Sequence, residues 1–284
     1  MGFRLATIAG RAVLLSGNHY YDLERVSNGR FSPHTRHALA HTDDLHAIAD
    51  GLAASLGQVS PDGTLDGAAF DPPVLDPNKV FAIGLNYRAH AHEANLAIPS
   101  LPMVFTKFQN CLAGSTAVIE LGSDTVDWEV ELVVVIGKGG RHIAADDAWN
   151  HVAGLTIGQD LSDRVVQFAL TPPQFSFGKS NDTYGPIGPA IVSPDLLPDP
   201  NNLAISCQVN GHTWQNSRTN DFIFSIPEII AYLSAACTLT PGDLIFTGTP
   251  AGIGMPSQTY LKDGDEITST IEGLGSMVNR CRRM

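Results

Sequence analysis

The sequence predicts a β-rich mixed α+β fold in which loops separate many short elements. Its 284 residues include 27 glycines and 18 prolines, and only 16% are charged. This composition favours strands and turns over helical repeats. The clearest strand is predicted over residues 127–136, because its second half is continuously apolar and rich in β-branched side chains. A chain of this length can form one large domain, or a large and a small one.

Residues 1–72 are predicted to form a small N-terminal α/β domain, and residues 73–284 a larger one. Apolar stretches over 4–8 and 12–15 flank Gly10, as in a hairpin. Apolar residues at near-helical spacing predict a helix over 37–56. The proline-rich segment 71–77 then stiffens the boundary between the two parts.

Beyond the boundary, short strands and turns are predicted with few helices. Strands are expected over 79–84, 104–107, 156–160, 244–246 and 267–271, and a helix over 146–151. Asn210 and Gly211 predict the tight turn of a hairpin, because both residues tolerate a positive φ. Ser225 and Glu228 have the spacing of a capping box and predict a helix start.

Charge and cysteine content limit the partners of the chain. The formal net charge of −12 argues against nucleic acid and anionic membranes as partners, because both need a basic surface. The four cysteines lack paired spacing, which predicts neither a disulfide framework nor a zinc site. The apolar runs fall far short of a membrane span, and the N-terminus has no extended apolar signal core. We therefore expect a cytoplasmic protein, with a locally positive pocket for any anionic substrate.

Two glutamates mark the predicted central strand. Glu129 and Glu131 are two residues apart, so their side chains share one face, roughly 7 Å apart along the strand. Unless the strand end reaches solvent, protons, Arg or Lys partners, or a metal ion must neutralise them. Asp160 ends another predicted strand and could face the same site. Hard oxygen ligands without His or Cys suit Mg²⁺, Mn²⁺ or Ca²⁺.

A histidine and a glutamate lie three residues apart in the segment that follows the strand over 79–84. On a helical turn His90 and Glu93 share a face, where the carboxylate orients the imidazole and raises its basicity. The alternative is an incidental ion pair on a polar surface helix.

Positive and hydrogen-bonding groups for an anionic substrate are spread along the chain. Lys107, Lys179 and Arg164 supply charge, and Arg can bind a carboxylate with two hydrogen bonds. Gly248 and Thr249 supply a backbone N–H and a hydroxyl. Each signal alone is more often structural, and the spacing does not establish that they converge.

From about residue 79 to its C-terminus the chain resembles the fumarylacetoacetate hydrolase family. The resemblance implies a mixed β fold rolled around the site as a β-roll or barrel, a small N-terminal domain, a catalytic domain over 73–284 and a homodimer. Seven motifs carry it in order: Gly84-Leu85-Asn86-Tyr87 with His90 and Glu93, Asp127-Trp128-Glu129-Val130-Glu131-Leu132, Asp160 with Arg164 and Gln167, Phe177-Gly178-Lys179-Ser180, Gly185-Pro186 with Gly188-Pro189, Asn210-Gly211, and Pro241-Gly242-Asp243 to Thr247-Gly248-Thr249-Pro250.

The resemblance also implies a role for each site residue. Glu129, Glu131 and Asp160 would be the ligands of Mg²⁺ or Mn²⁺. His90 and Glu93 would form an acid/base dyad on a mobile lid. Arg164, Gln167 and Lys179 would surround the substrate and the developing oxyanion. Thr249 would hold a carboxylate of the substrate.

The implied activity is metal-dependent hydrolysis of a carbon–carbon bond in a small β-diketo acid of the acylpyruvate type. Decarboxylation of an oxaloacetate-like acid, or isomerisation or hydration of an unsaturated 2-oxo acid, would use the same site. A non-catalytic ligand-binding protein is a further alternative. Residues 94–102 and 168–175 are expected to line the substrate's tail.

One position departs from the family pattern. Val165 stands where the family commonly has Asp, which predicts the loss of a partner for Arg164. His92, less usual at its position, could influence the protonation of the dyad.

Overall fold

The computed structural model describes residues 2–284 and confirms a β-rich mixed α/β fold with large sheets. Its nineteen strands within these residues alternate with short loops. They are β1 (Arg4–Ile8), β2 (Arg11–Ser16), β3 (His19–Asp22), β4 (Gly63–Thr64), β5 (Phe70–Asp71), β6 (Val80–Gly84), β7 (Met103–Thr106), β8 (Leu112–Ala113), β9 (Ile119–Leu121), β10 (Val126–Asp127), β11 (Val130–Ile136), β12 (Val152–Gln159), β13 (Ser162–Asp163), β14 (Gly185–Val192), β15 (Ala204–Val209), β16 (His212–Arg218), β17 (Leu244–Phe246), β18 (Glu266–Ile271) and β19 (Gly275–Arg283).

The helices are few and mostly short. The α-helices are α1 (Leu23–Val26), α2 (Thr35–Leu39), α3 (Thr42–Ala54), α4 (Arg88–Glu93), α5 (Arg164–Gln167), α6 (Phe175–Gly178) and α7 (Ile226–Ala236). Single 3₁₀ turns cover Gln109–Cys111, Ala145–His151, Pro194–Leu196, Thr219–Asp221 and Met255–Ser257. Among residues 2–284, no helix has the length and apolar character that a bilayer crossing requires.

Two large sheets build the molecule within the described part of the chain. The larger has twelve strands in the order β4-β3-β2-β1-β14-β12-β11-β17-β6-β7, with β5 beside β1 and β8 beside β14. The smaller has five, in the order β16-β15-β18-β19-β9. β10 and β13 form a separate pair. Because β4 and β7 are unjoined edges, the large sheet is open over residues 2–284. Of the two forms that the resemblance implies, a β-roll or a barrel, the closed barrel therefore does not form over these residues.

The β11–β12 pair lies in the middle of the large sheet. The strands are antiparallel, with Val130 opposite Gln159 and Glu131 opposite Gly158. Every residue of β11 is buried. Alternate side chains enter different cores: Leu132 packs into one, and Val133 into the other. A strand covered on both faces needs apolar side chains on both of them, which explains the continuous apolar run over 132–136.

The N-terminal strands extend the same sheet. β1 pairs with β14, with Leu5 opposite Ile191, so hydrogen bonding continues across the predicted boundary at 72/73. Leu5 also shares a buried core with Val133 and Ile187 from the larger part. The division into two domains stays a prediction, and the sheet joins its two parts.

Several local predictions are confirmed. Asn210 and Gly211 have φ of 52° and 76° between β15 and β16, the left-handed values that the tight turn requires. Ser225 and Glu228 form the complete capping box of α7.

Other predictions needed correction. The predicted helix over 37–56 is two helices, α2 and α3, because His41 leaves the helical region with φ of −135° and ψ of 55°. The two aspartates that follow, Asp43 and Asp44, favour a new helix start there. The predicted helix over 146–151 is the 3₁₀ turn Ala145–His151.

Candidate active site

Three carboxylates meet where β11 begins and β12 ends. Glu129 lies just before β11, Glu131 lies within it, and Asp160 follows β12 directly. The Asp160 N–H donates to the Glu129 carbonyl over 2.9 Å, which joins the two strand ends. One carboxylate oxygen from each residue lies within 4.8 Å of the others. All three side chains are buried.

Two glycines let the backbone approach this cluster. Gly158 faces Glu131 across the pair, and a Cβ there would lie 2.6 Å from Phe246 and Val133 side-chain atoms. Gly248 has a φ of +102°, which L side chains rarely adopt. Its N–H donates to Glu131 Oε2 over 2.7 Å.

Three cations hold the carboxylates in place. Lys179 Nζ donates to Glu129 Oε2 and Asp160 Oδ2, each over 2.7 Å. Lys107 Nζ donates to Asp160 Oδ1 over 2.7 Å and to the Lys179 and Tyr184 carbonyls. Arg164 binds Glu129 Oε1 over 2.7 Å.

Arg164 is fixed by Asp127, a motif residue to which the sequence analysis assigned no role. Its Nε and Nη2 both donate to Asp127 Oδ2, over 2.9 and 2.7 Å, and its Nη1 donates to Gln167 Oε1 over 2.8 Å. Asp127 in turn accepts the Gly254 N–H over 2.7 Å. Val165 is 63% exposed, and Arg164 is held by Asp127, Glu129 and Gln167. The loss of a further Arg164 partner at position 165 stays a prediction.

Charge balance singles out Glu131. Four buried carboxylates, those of Asp127, Glu129, Glu131 and Asp160, face three cations, and the ion pairs leave Glu131 with only the Gly248 N–H. Burial, together with the Asp160 and Glu129 charges, raises the pKa of Glu131 well above its ordinary value. For Glu129, Lys179 and Arg164 outweigh the effect of burial and lower the pKa to about 2.

These residues fit a divalent cation. Glu131 needs a positive charge that the described side chains do not supply, and the three converging oxygens are hard ligands. Glu129, Glu131 and Asp160 would hold the ion, as predicted. Mg²⁺ and Mn²⁺ both suit such a donor set.

The His90/Glu93 pair forms on α4. His90 Nδ1 lies 3.0 Å from Glu93 Oε2, and Glu93 Oε1 accepts the Gly252 N–H over 2.9 Å. Although burial opposes it, His90 and the Gly252 N–H lower the pKa of Glu93. Glu93 is therefore held as a carboxylate that fixes the imidazole by its Nδ1 side, which directs Nε2 elsewhere.

A cavity of about 370 Å³ joins the dyad to the carboxylates. Eight of the predicted site residues line it: His90, Glu93, Glu129, Glu131, Arg164, Gln167, Lys179 and Thr249. The predicted wall segments also contribute, through Ala94 and Leu96 from one and Phe168, Pro173 and Phe175 from the other.

Three predicted residues do not line the cavity. Asp160 lies behind the Lys179 ammonium, and Gly248 contributes its N–H to Glu131. Lys107 is wholly buried behind Asp160, which gives it a positioning role in place of the predicted substrate contact.

Thr249 lines the cavity. Its hydroxyl donates to the Val130 carbonyl over 2.9 Å, so this residue shapes the cavity wall.

The family profile "Fumarylacetoacetate (FAA) hydrolase C-terminal" matches residues 79–282. A "Fumarylacetoacetate hydrolase domain-containing protein 2 homolog" of Dictyostelium discoideum is 48% identical over 221 residues, 73% of this chain and 72% of that protein. A mitochondrial oxaloacetate tautomerase of Homo sapiens is 44% identical over 215 residues, 74% of this chain and 68% of that protein.

Solved structures agree over nearly the whole chain. A Mycobacterium smegmatis protein provisionally called HpcE superposes with a TM-score of 0.91 at 42% identity, covering 99% of both chains. Maleylpyruvate hydrolase from Sphingobium sp. SYK-6, in complex with manganese(II) and pyruvate, superposes with a TM-score of 0.82 at 29% identity, again covering 99% of both. The chain is therefore an enzyme of the fumarylacetoacetate hydrolase family.

Proposed function

We propose that the protein is a divalent-metal-dependent hydrolase that cleaves a carbon–carbon bond in an acylpyruvate-like 2,4-dioxo acid. One observation carries the proposal: the His90/Glu93 dyad and the three-carboxylate cluster, through Glu129 and Glu131, open onto the same cavity. The cavity also extends past these groups, which leaves space for an acyl tail. The manganese and pyruvate bound to the 29%-identical maleylpyruvate hydrolase support the same metal class and a 2-oxo acid.

The metal, when bound at Glu129, Glu131 and Asp160, would supply Lewis-acid polarisation of the 2-oxo group. Residues of the chain would do the rest. His90 Nε2 would take a proton from water, whose oxygen adds to the C4 carbonyl of the substrate. Glu93 would stabilise the imidazolium that forms. Gln167 has its Oε1 engaged by Arg164, which leaves its Nε2 amide to donate to the developing oxyanion.

Bond cleavage then returns the proton. The C3–C4 bond breaks, its electron pair stays on C3 as the pyruvate enolate, and the C4 carbon leaves as a carboxylic acid. His90, now protonated, would deliver its proton to C3 and regenerate the base. The products are pyruvate and the acid of the acyl tail.

A second candidate is keto–enol tautomerisation of oxaloacetate. The 44%-identical human protein with this activity in its name favours it. The reaction moves one proton between C3 and the 2-oxo oxygen, which the dyad could perform without an attacking water. Decarboxylation of oxaloacetate would use the same metal site and no base.

A product-resolved assay separates these reactions. The protein is incubated with acetylpyruvate or with oxaloacetate, with Mg²⁺ or Mn²⁺ and with a chelator, and the products are followed by nuclear magnetic resonance. We expect pyruvate and acetate from acetylpyruvate, and none with chelator. Exchange of the C3 protons of oxaloacetate without cleavage of acetylpyruvate would favour the tautomerase. Release of CO₂ from oxaloacetate would favour the decarboxylase. Full activity with the chelator would overturn the metal site.

A further inference from the structure

We infer that the substrate of this site has an apolar tail at the end opposite its 2-oxo acid group, and that this tail carries no second carboxylate. This inference rests on the proposed function, since it concerns the same cavity. The relevant part of the cavity lies beyond the carboxylate cluster. We call it the aromatic wall and define it as Phe105, Phe175 and Phe168.

The aromatic wall runs outward from the catalytic groups. Lys179 Nζ lies 5.2 Å from the centroid of the Phe105 ring. Phe105 meets Phe175 edge-on with 5.5 Å between centroids, and Phe175 meets Phe168 at 6.2 Å. All three rings line the cavity, and Phe168, at the outer end, is 47% exposed. A linear tail that starts at the carboxylate cluster would therefore pass three successive rings.

Aliphatic side chains complete this end of the cavity. Met103 lies two residues before Phe105 on β7, so the two share a face of that edge strand. Met103 also packs over Gly84, where a Cβ would lie 3.1 Å from its Sδ. Leu96, beyond α4, also lines the cavity. Aliphatic and aromatic side chains therefore both contribute to the tail space.

Cations are confined to the other end. Among the described residues that line the cavity, the lysine and arginine side chains are Lys179 and Arg164, and each already binds two carboxylates. His90 is engaged by Glu93. A carboxylate at the end of a six-carbon substrate would lie against the aromatic wall without a positive partner, and would lose hydration there. A methyl group at the same place gains from leaving water.

A matched pair of unreactive acids tests the inference. 2-Oxohexanoate and 2-oxoadipate have the same six carbons and differ only in a terminal methyl or carboxylate. Titration calorimetry with the Mg²⁺-loaded protein should show 2-oxohexanoate binding at least about tenfold tighter than 2-oxoadipate. Along the series pyruvate, 2-oxobutanoate, 2-oxopentanoate, 2-oxohexanoate, each added methylene should tighten binding roughly fourfold. Equal affinity within the pair, or tighter 2-oxoadipate, would overturn the inference while leaving the proposed function intact. If neither acid nor pyruvate binds, both fall.

Charge variants locate the discrimination. Phe168→Arg should tighten 2-oxoadipate about tenfold relative to 2-oxohexanoate, because it places a cation at the outer end of the wall. Leu170→Arg is the matched control: Leu170 is 70% exposed and does not line the cavity, so the affinity ratio should stay as in the unmodified protein. Phe168→Leu should keep the preference for the methyl tail. An equal change of the ratio in both arginine variants would mean that distant charge, and not the wall, sets it, and would overturn the assignment.

Discussion

Glu131 is the carboxylate in the site whose charge the protein leaves unmatched. We expect Glu131→Gln to weaken Mg²⁺ or Mn²⁺ binding strongly while the fold survives, since the Gly248 N–H can still donate to an amide oxygen. Metal titration followed by calorimetry checks this. Gln at Glu24, which pairs with Arg11 and does not line the cavity, is the control. An unchanged metal affinity for Glu131→Gln would mean that the ion binds elsewhere.

The same residue predicts a pH dependence of stability. Burial and the neighbouring acids raise the pKa of Glu131 well above 4.5, so the folded metal-free protein keeps a proton there that the unfolded chain releases. The free energy of unfolding should therefore fall as pH rises above about 4.5, until the folded carboxyl also ionises. Urea unfolding of the metal-free protein at several pH values should show this decline, and Glu131→Gln should flatten it. A decline of the same slope in the variant would assign it to another group.

His90 should govern rate more than binding. His90→Ala should lower kcat for hydrolysis by roughly two to four orders of magnitude, because the base for water is gone. Affinity for metal and 2-oxo acid should change little, since their proposed ligands lie on the sheet and not on α4. Glu93→Gln should lose less, because it acts through His90. Wild-type turnover by His90→Ala would remove the dyad from the mechanism.

Site residues could be predicted where they follow the alternation of side chains along a strand. They could not be predicted where the partners of an ion pair are far apart in the sequence. Glu129 and Glu131 share a site because strand side chains alternate, which the sequence displays directly. The Asp127–Arg164 ion pair joins residues 37 positions apart, and no local pattern encodes that distance. Asp127 therefore orients Arg164 from outside its local sequence segment.

Among the elements, the β11–β12 pair sets the position of the metal ligands. Gly158→Ala would place a Cβ 2.6 Å from Phe246 and Val133 atoms, and should destabilise the protein by about 1–3 kcal/mol. Gly51→Ala, in the exposed part of α3 with no atom near its Cβ, should instead stabilise by up to about 1 kcal/mol. Thermal unfolding of both variants tests the contrast. An unaffected Gly158→Ala would mean that the strands separate easily at this point.

The segment 86–102, which includes α4, is expected to close over ligand as a lid. Leu96, Ile98 and Leu101 are each more than half exposed, and closure would remove such apolar side chains from water. Hydrogen exchange of the amides in 86–102 should slow when Mg²⁺ and oxalate are added. Amides around the Asn210-Gly211 turn serve as the internal control. Identical exchange with and without oxalate would contradict a mobile lid.

Across the whole molecule, the N-terminal strands and the catalytic sheet should unfold together. β1 is hydrogen-bonded to β14, and a core is shared across residue 72. All three tryptophans (Trp128, Trp149 and Trp214) lie beyond that boundary. Tryptophan fluorescence and far-ultraviolet circular dichroism should therefore give the same urea midpoint. An earlier transition seen only by circular dichroism would support an independent N-terminal domain. The implied homodimer stays a prediction.

The fold class could be predicted because glycine, proline and short apolar runs are local signals. The order of the sheet could not be predicted, since Leu5 of β1 pairs with Ile191 of β14, 186 positions away, and no sequence period spans that separation. The open edges at β4 and β7 likewise depend on which strands remain unpaired.

The ion pairs around Glu129 and Asp160 preorganise these two side chains for ligand binding. Lys107, Lys179 and Arg164 hold Glu129 and Asp160 at their positions before any cation arrives. The repulsion between Glu129 and Asp160 is thus offset within the folded chain, and little side-chain entropy of these two residues remains to be lost when a ligand binds. A preorganised site of this kind has a small reorganisation energy, so successive catalytic cycles can begin from the same geometry.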